Sequence, residues 1–418
     1  MNMSGPDRIP VASFSLPVFP FYYPRVPSDR NDIFFKRFDC RLYFHAGTGL
    51  MAQSLSLRDQ EEIEKIYKKG SMIYNVAECR ELNVQEGIHL KLREESFLQQ
   101  FFSIFEEDAV ASFDILEVGC GSGHLLNEMK KRGANVIGCD VGPYGEAARR
   151  NFDIDIIREP FSDDIFGSRT FDIVYSFAFL EHVPNPVETV RRMGNLLKKG
   201  GKILNAVPDC TSHLNLGNPF CITPEHLNYF TRDSIVGVYR ATSLQNVEVR
   251  SSEYGFGLFA YGEKGDEQQH PTEVSIGCLR DESIAFKHRS ERFLKRLQDR
   301  IGVLAGKSVG LMGGGIETAA LLSLLDFRGV SFRVYEVDKS FVGKYLPSVE
   351  IPISCESQVI QDGPDEIWII PLAYCDKIEH KIKNEFKMNT PLLNLKTVLE
   401  ETRIPVTPEP GSRARGKG

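Results

Sequence analysis

The chain has 418 residues, a formal net charge of −7, 42% hydrophobic and 26% charged residues. That length exceeds one ordinary core, so two or three domains are expected in a soluble globular protein. The acidic balance excludes a general attraction to nucleic acid or to anionic membranes, and no apolar run approaches the roughly 18 residues a spanning helix needs. The basic pairs Arg149–Arg150, Arg191–Arg192 and Lys198–Lys199 read as solvated helix faces. Nine cysteines are scattered without a Cys-x-x-Cys, which argues against a disulfide framework and a zinc ribbon. The first thirty residues or so carry no basic-then-apolar leader pattern. A reduced, cytoplasmic setting is the expectation.

In chain order, residues 1–30 are rich in Pro and aromatics and are expected to form an extended arm. Residues 34–50 have room for a strand or two. Residues 56–69 and 88–105 read as helices, the second carrying Leu90, Leu92, Phe97, Leu98, Phe101, Phe102 and Phe105. Residues 1–85 are assigned to an N-terminal arm and small domain.

The next stretch is the most informative. Ile115-Leu116-Glu117-Val118 is a short buried-strand signal broken by Gly119-Cys120-Gly121-Ser122-Gly123. A helix start follows from Leu125, and residues 136–139 give a second strand closed by Asp140. In such a strand–turn–helix–strand unit the glycines let the backbone pass close to a ligand, and the acid ending the second strand holds a ribose diol. A pyrophosphate turn is spaced Gly-x-Gly-x-x-Gly. Here the glycines alternate and Glu117 precedes them, which suits a ligand with a cationic amino group. Alone, the same glycines serve as a tight loop in any βαβ unit. The segment resembles the first motif of the class I S-adenosylmethionine-dependent methyltransferases. That resemblance implies S-adenosyl-L-methionine as cofactor, bound by Glu117, Gly119, Gly121, Gly123 and Asp140, and a covering helix at 88–105.

Strands are expected at 154–157, 171–176 and 201–207, with an antiparallel pair at 247–251 and 258–261. This alternation calls for a parallel sheet with helices on both faces and ligands at the carboxyl ends of its strands. Phe171 to Ser176 opens onto Phe177-Ala178-Phe179-Leu180-Glu181-His182-Val183-Pro184. The Leu-Glu-His-Val segment and Lys198-Lys199-Gly200-Gly201, read as a turn before the fifth strand, extend the resemblance over about 111–262. Ser176 and Phe177 are placed beside the cofactor, although Phe177 serves equally as core. An acid from the loop after strand three is implied for adenine; Glu159 is taken, with Asp163 and Asp164 in competition.

His182 sits where a transferable methyl should lie, and a neutral imidazole suits proton removal near neutrality. The alternative is a packed or capping histidine. Glu181 reads as ordering the loop. Thr223-Pro224-Glu225-His226-Leu227-Asn228-Tyr229 forms a second cluster, in which Glu225, His226 and Tyr229 are acceptor-side candidates. A surface turn capped by Thr231 or Asp233 is the plainer alternative.

Residues 262–276 read as a surface connection and 281–304 as a charged helix; 263–304 is assigned as linker and helix. A second βα series occupies 305–400: a strand at 308–312, the turn Gly313-Gly314-Gly315, a helix at 317–325, a strand at 332–337 ending at Asp338, and another at 366–371. With Gly343-Lys344-Tyr345-Leu346-Pro347 and Pro364-Asp365-Glu366-Ile367-Trp368, this resembles the C-terminal Rossmann-like domain of sugar C-methyltransferases. Residues 401–418 are expected to be disordered.

The fold class is therefore α/β: a central class I methyltransferase sheet over 86–262, a small N-terminal domain, and a second C-terminal Rossmann-like α/β domain. The resemblance implies a nucleotide-linked sugar as acceptor, with a base removing the proton beside a carbonyl before carbon attacks the methyl. Two departures matter. The family's N-terminal zinc domain needs four cysteines, and here the sequence offers Cys40 and His45 rather than a set of four, so no metal is expected. The family's Tyr-His-Glu-His reads Thr223-Pro224-Glu225-His226, so the phenol is missing and His226, His182 or Tyr229 must move the proton, or the acceptor is a hydroxyl. An O-methyltransferase on a sugar or other small metabolite is the close rival. A catalytically silent adenosylmethionine-binding module is the other class. Thr318 breaks the C-terminal Gly-x-Gly pattern, so a packing, dimerisation or substrate-wall role is read there rather than a nicotinamide site. No nucleic-acid or membrane partner is expected, and oligomeric state is not legible.

Overall fold

A computed structural model describes residues 8–20, 37–69, 88–105, 107–143, 145–252, 257–265, 276–339, 341–346 and 351–402 of the chain. Most of the 1–30 arm apart from 8–20, most of the 262–276 connection, and the tail beyond Thr402 lie outside the described residues.

Three sheets organise these residues. The first contains β1 (Arg8–Pro20), β2 (Arg37–His45) and β3 (Met51–Ser54), all antiparallel. The residues read as an arm thus supply a strand whose backbone groups are paired by β2.

The second sheet is built from β4 (Asp114–Val118), β5 (Asn135–Cys139), β6 (Ile156–Ile157), β7 (Phe171–Phe177) and β8 (Leu197–Val207). The chain then gives β9 (Asn228–Tyr229) to the first sheet, antiparallel to β3, and returns with β10 (Leu244–Ser251) and β11 (Leu258–Lys264). The order is β10-β11-β8-β7-β4-β5-β6. β6, β5, β4, β7 and β8 are parallel neighbours, and β11 is antiparallel to β8 and to β10.

Two local expectations change. The third strand is only Ile156–Ile157. Lys198 to Gly201 form no separate turn but an irregularity within β8, where Phe171 pairs with Leu197 and Ile173 already pairs with Lys202. Gly200, at φ 74°, supplies the left-handed backbone this bulge needs.

The third sheet holds β12 (Ser308–Met312), β13 (Ser331–Glu336), β14 (Ser354–Cys355), β15 (Glu366–Ile369) and β16 (Leu392–Asn394), ordered β14-β13-β12-β15-β16 and wholly parallel. Its central strands β12 and β15 are buried along nearly their whole length, as strands inside a parallel sheet are. The long helix Ile276–Val303 ties the sheets together. Its buried residues Phe286, Phe293, Leu297 and Ile301 recur at helical spacing and share one core with Leu42 and Met51 of the first sheet, Phe220, and Val309 and Trp368 of the third. Each such side chain contributes about 1.5–3 kcal/mol on burial. The termini are therefore packed into a common body. Polar contacts anchor the same helix: Arg300 forms a forked ion pair with Glu366, which also accepts from Trp368 Nε1 at 2.9 Å.

Candidate active site

In the second sheet the chain runs outward from β4 through β5 to β6, then crosses back to β7 on the other side of β4. The carboxyl ends of β4 and β7 thus diverge, leaving a crevice where open α/β sheets take ligands. Gly119 follows β4 in this crevice with φ 73°, and a Cβ there would lie 2.5 Å from the Phe179 ring beyond β7. Glycine is required on both counts. The Gly119 amide donates to the Cys139 carbonyl at 2.8 Å, joining the turn to β5. Asp140 closes the loop, its carboxylate accepting from Gly121 N at 2.9 Å and Gly142 N at 2.6 Å. Burial raises its pKa, and these two amides oppose that effect.

Glu117 is buried and accepts a 2.9 Å hydrogen bond from Tyr175 Oη. The helix Ile88–Ile104 packs Phe97 and Phe101 against Tyr175, with ring centroids 5.2 and 5.8 Å away. Burial pushes the Glu117 carboxyl well above its ordinary range, Tyr175 partly offsetting it. A cation beside Glu117 would favour the carboxylate form. This donor set fits an adenosylmethionine, with a buried acid for its amino group and an acid at a strand end for its diol.

The facing wall comes from two loops stitched together. Leu180–His182 follows β7, while residues 223–229 lead into β9. Leu227 N donates to Glu181 O at 2.6 Å, and Asn228 Nδ2 donates to Leu180 O at 3.0 Å and Val183 O at 2.7 Å. His182 Nδ1 lies 2.9 Å from the Glu225 carbonyl, an acceptor, so Nδ1 donates and in the neutral ring Nε2 carries the lone pair. The His182 and His226 rings meet edge to face at 4.9 Å. Glu225 is buried; desolvation, with Glu181 nearby, raises its pKa to about 8. From β3, Gln53 Nε2 donates to the carbonyls of Thr223 at 2.7 Å, Pro224 at 3.0 Å and His226 at 2.7 Å. The first sheet thereby shapes the acceptor loop.

The third sheet repeats the switch-point geometry. Gly313 N donates to Tyr335 O at 2.8 Å, and Glu336 Oε2 accepts from Gly314 N at 2.6 Å, as Asp140 does from Gly121. A Cβ on Gly313 would lie 2.5 Å from Pro371 beyond β15. Both switch points open into one cavity of about 960 Å³, whose lining includes Glu117, Asp140, His182 and His226 from one side and Gly313, Glu336, Tyr374 and Lys377 from the other. That volume is at the upper end of ligand pockets, enough for two molecules.

Of the residues singled out from sequence, Glu117, Gly119, Gly121, Asp140, Glu159, Phe177, His182, Glu225 and His226 line this cavity. Gly123 stands behind it as the left-handed residue opening the helix His124–Lys131. Ser176 is turned away, donating to Asn205 Oδ1 at 2.6 Å in the core. Tyr229 is also outside the lining: its hydroxyl donates to Thr223 O at 3.2 Å and accepts from Thr223 N at 3.3 Å, because β9 turns the ring into the shared core. Asp163 is engaged by Asn195 Nδ2 at 2.8 Å, and neither it nor Asp164 reaches the cavity. Thr231 caps the helix Arg232–Arg240. Sequence reasoning passed over Gln53, His213 and Ala178, and offered the C-terminal wall only as one of three roles for Gly313 to Gly315, which line the cavity through Gly313 and Gly315. Ala178, at φ 52°, is held in the left-handed region directly after β7, a strained position of the kind found at ligand sites. His213 lines the cavity, and its Nδ1 accepts from Asn218 Nδ2 at 3.0 Å; burial lowers its pKa to about 4.

Residues 87–249 match the family described as methyltransferase domain. The ubiquinone biosynthesis O-methyltransferase of Pseudomonas aeruginosa (strain UCBPP-PA14) is 34% identical over 109 residues, 24% of this chain and 46% of that relative. Its counterpart in Nitrosococcus oceani is 38% identical over 113 residues, 24% of this chain and 47% of that relative. The chain thus spans about half the length of these curated relatives. Among solved structures, magnesium protoporphyrin IX methyltransferase from Synechocystis PCC 6803 with bound S-adenosylmethionine aligns with 51% of this chain and 100% of its own at 11% identity, TM-score 0.38. The Burkholderia thailandensis 1,6-didemethyltoxoflavin-N1-methyltransferase aligns with 52% of this chain and 95% of its own at 14% identity, TM-score 0.38. No helix among the described residues is long and apolar enough to cross a membrane. Residues 87–249 of this chain form a methyltransferase domain, carried between a four-stranded antiparallel sheet and a second parallel α/β sheet.

Proposed function

We propose that this chain is an S-adenosylmethionine-dependent methyltransferase whose small-molecule acceptor lies between the two parallel sheets. The supporting observation is the single cavity that joins the Glu117–Asp140 loop to the Glu336 and Lys377 wall across His182 and His226. When bound, S-adenosylmethionine supplies an electrophilic methyl carbon. The chain's residues do the rest. Glu117 and Asp140 fix the donor's two ends, Phe177 and Phe179 wall the transfer region, and the stitched loops hold the imidazoles at the acceptor's reactive atom. His182 Nε2, with Nδ1 committed to Glu225 O, is the atom able to take a proton from that acceptor.

For the acceptor we favour a carbohydrate-derived molecule, a nucleotide-linked sugar in the first instance. Its size suits a cavity of about 960 Å³, and Lys377 lines the far wall, where phosphate charge would sit. Carbon methylation then needs a base beside a carbonyl, which His182 or His226 provides. A second reading is O-methyl transfer to a sugar or other small metabolite. It is supported by Tyr229, the phenol of the acceptor loop, being sealed away from the cavity, and by the relatives' own names. Methyl-labelled S-adenosylmethionine incubated with pooled nucleotide sugars and other hydroxylated metabolites tests both readings. Alkali-stable label on carbon supports C-transfer and label on oxygen supports O-transfer. Cofactor binding without turnover across broad pools would contradict both and favour a silent module.

A further inference from the structure

Glu181, His182 and His226 each present a ligand-type atom to the cavity, and these three atoms lie within 4.8 Å of one another. We infer that they form a binding site for a divalent first-row transition-metal ion, and that this ion holds the acceptor. Two imidazole nitrogens and one carboxylate with open positions toward solvent make a set that suits zinc, iron(II), cobalt or manganese, whereas magnesium and calcium prefer oxygen.

The geometry is close to what bonding requires. His182 Nε2 stands 3.8 Å from Glu181 Oε1. Two ligands on an ion with bonds of about 2.1 Å at a tetrahedral angle are roughly 3.4 Å apart, so a few tenths of an ångström close the site. The separation is also too long for a direct hydrogen bond between the two groups. The imidazole is aimed in advance: the Glu225 carbonyl takes the Nδ1 proton at 2.9 Å, leaving Nε2 as the ligand, as outer partners of metal-bound histidines do. Glu181 is held from its own backbone, through Leu227 N to Glu181 O at 2.6 Å, and Gln53 fixes His226 through its carbonyl at 2.7 Å.

A second observation points the same way. Glu225 is buried in this wall with Oε2 lacking any hydrogen-bond partner. With Glu181 beside it and Glu117, Asp140 and Asp209 around the same cavity, the wall is rich in carboxyl groups and suits a cation.

The function assigned to the ion rests on the second, O-transfer reading above; with Nε2 of His182 bound to the ion that imidazole is not the base, and the ion instead acidifies the acceptor hydroxyl. An acceptor with two adjacent oxygens, a vicinal diol or an α-hydroxy carbonyl, would chelate at the open positions. The bound hydroxyl's O–H bond breaks and its proton passes to water. The freed oxygen pair then forms a bond to the methyl carbon of the sulfonium donor, while the carbon–sulfur bond breaks and its electron pair stays on the sulfur of the thioether product.

The test uses the full chain, stripped with EDTA and titrated separately with Co²⁺, with Zn²⁺ and with S-adenosylhomocysteine. The proposal expects one Co²⁺ per chain with visible absorption, displaced by Zn²⁺. It expects His226→Ala and Glu181→Gln each to weaken binding by about 100-fold, and His288→Ala, an exposed helix residue, to leave it unchanged. S-adenosylhomocysteine binding retained in the variants shows that they fold. No Co²⁺ or Zn²⁺ bound by the wild type at about 100 μM, or binding undiminished in both variants, overturns the metal site. The S-adenosylhomocysteine titration of the wild type stands or falls independently, so loss of the cofactor reading is separable from loss of the metal.

Discussion

The side-chain amide of Gln53 lies 2.7 Å from the carbonyl oxygen of His226, 173 residues further along the chain. Gln53 N also donates to Leu227 O at 2.9 Å, so one residue of β3 holds the acceptor loop by backbone and side chain together. The N-terminal sheet is therefore part of the active-site scaffold.

Replacing this amide tests that relationship. Gln53→Ala removes a donor shared by three buried carbonyls. It should speed hydrogen exchange across 223–229 and lower acceptor turnover by about 10–100-fold, the scale expected when reacting groups shift by about an ångström. Affinity for S-adenosylhomocysteine should stay within about twofold. Gln53→Glu should be worse than Ala, because it sets carboxylate oxygens against carbonyl oxygens. Unchanged exchange in both variants would contradict the scaffold role.

Gly119 makes a sharper structural prediction. Gly119→Ala places a Cβ against Phe179 and forces φ 73° on an L-residue, so it should cost about 1–3 kcal/mol and cut cofactor affinity at least about tenfold. Gly167→Ala is the control, since φ is also positive at 60° but nothing lies within 4 Å. It should lower thermal stability slightly and leave the cofactor isotherm intact. Equal behaviour of the two variants would show that the close approach to Phe179 is unimportant.

Glu317 makes stability depend on pH. It lies in the helix Ile316–Leu324, is covered by Asn218 Nδ2 at 3.4 Å and Leu372 N at 3.1 Å, and burial raises its pKa to about 7. The folded chain therefore holds a proton that the unfolded chain releases near the ordinary value of 4.5. Its contribution is fully present below about 4.5 and is lost as pH rises through about 7, on the order of 3 kcal/mol in all. Denaturation profiles of the wild type and Glu317→Gln should diverge across that window, with the variant flatter. Parallel profiles would contradict the assignment.

Much of the cofactor half was legible because it is local. Glu117, the alternating glycines and Asp140 lie within one βαβ unit, where spacing along the chain nearly fixes spacing in space. The acceptor half was legible only as candidates. His182 and Glu225 are 43 residues apart, and their contact depends on loops stitched by Asn228 and Leu227. Tyr229 looked available in sequence, but the pairing of β9 with β3 buries its ring. Gln53 carried no signal at all, since it falls between the expected strands at 34–50 and the helix at 56–69, and only the structure places it in β3. The three-residue metal cluster escaped for the same reason: Glu181 and His182 are adjacent, and the tertiary fold supplies His226.

Binding of S-adenosylhomocysteine to the full chain, followed by calorimetry with Asp140→Ala alongside, bears most directly on the central claim. Asp140 lines the cavity while bracing Gly121 and Gly142. The wild type should bind one molecule per chain, and the variant about 10–100-fold more weakly, the loss of a charged hydrogen-bonding group. No binding by the wild type, or equal binding by both proteins, would contradict the assignment of this crevice as the methyl-donor site.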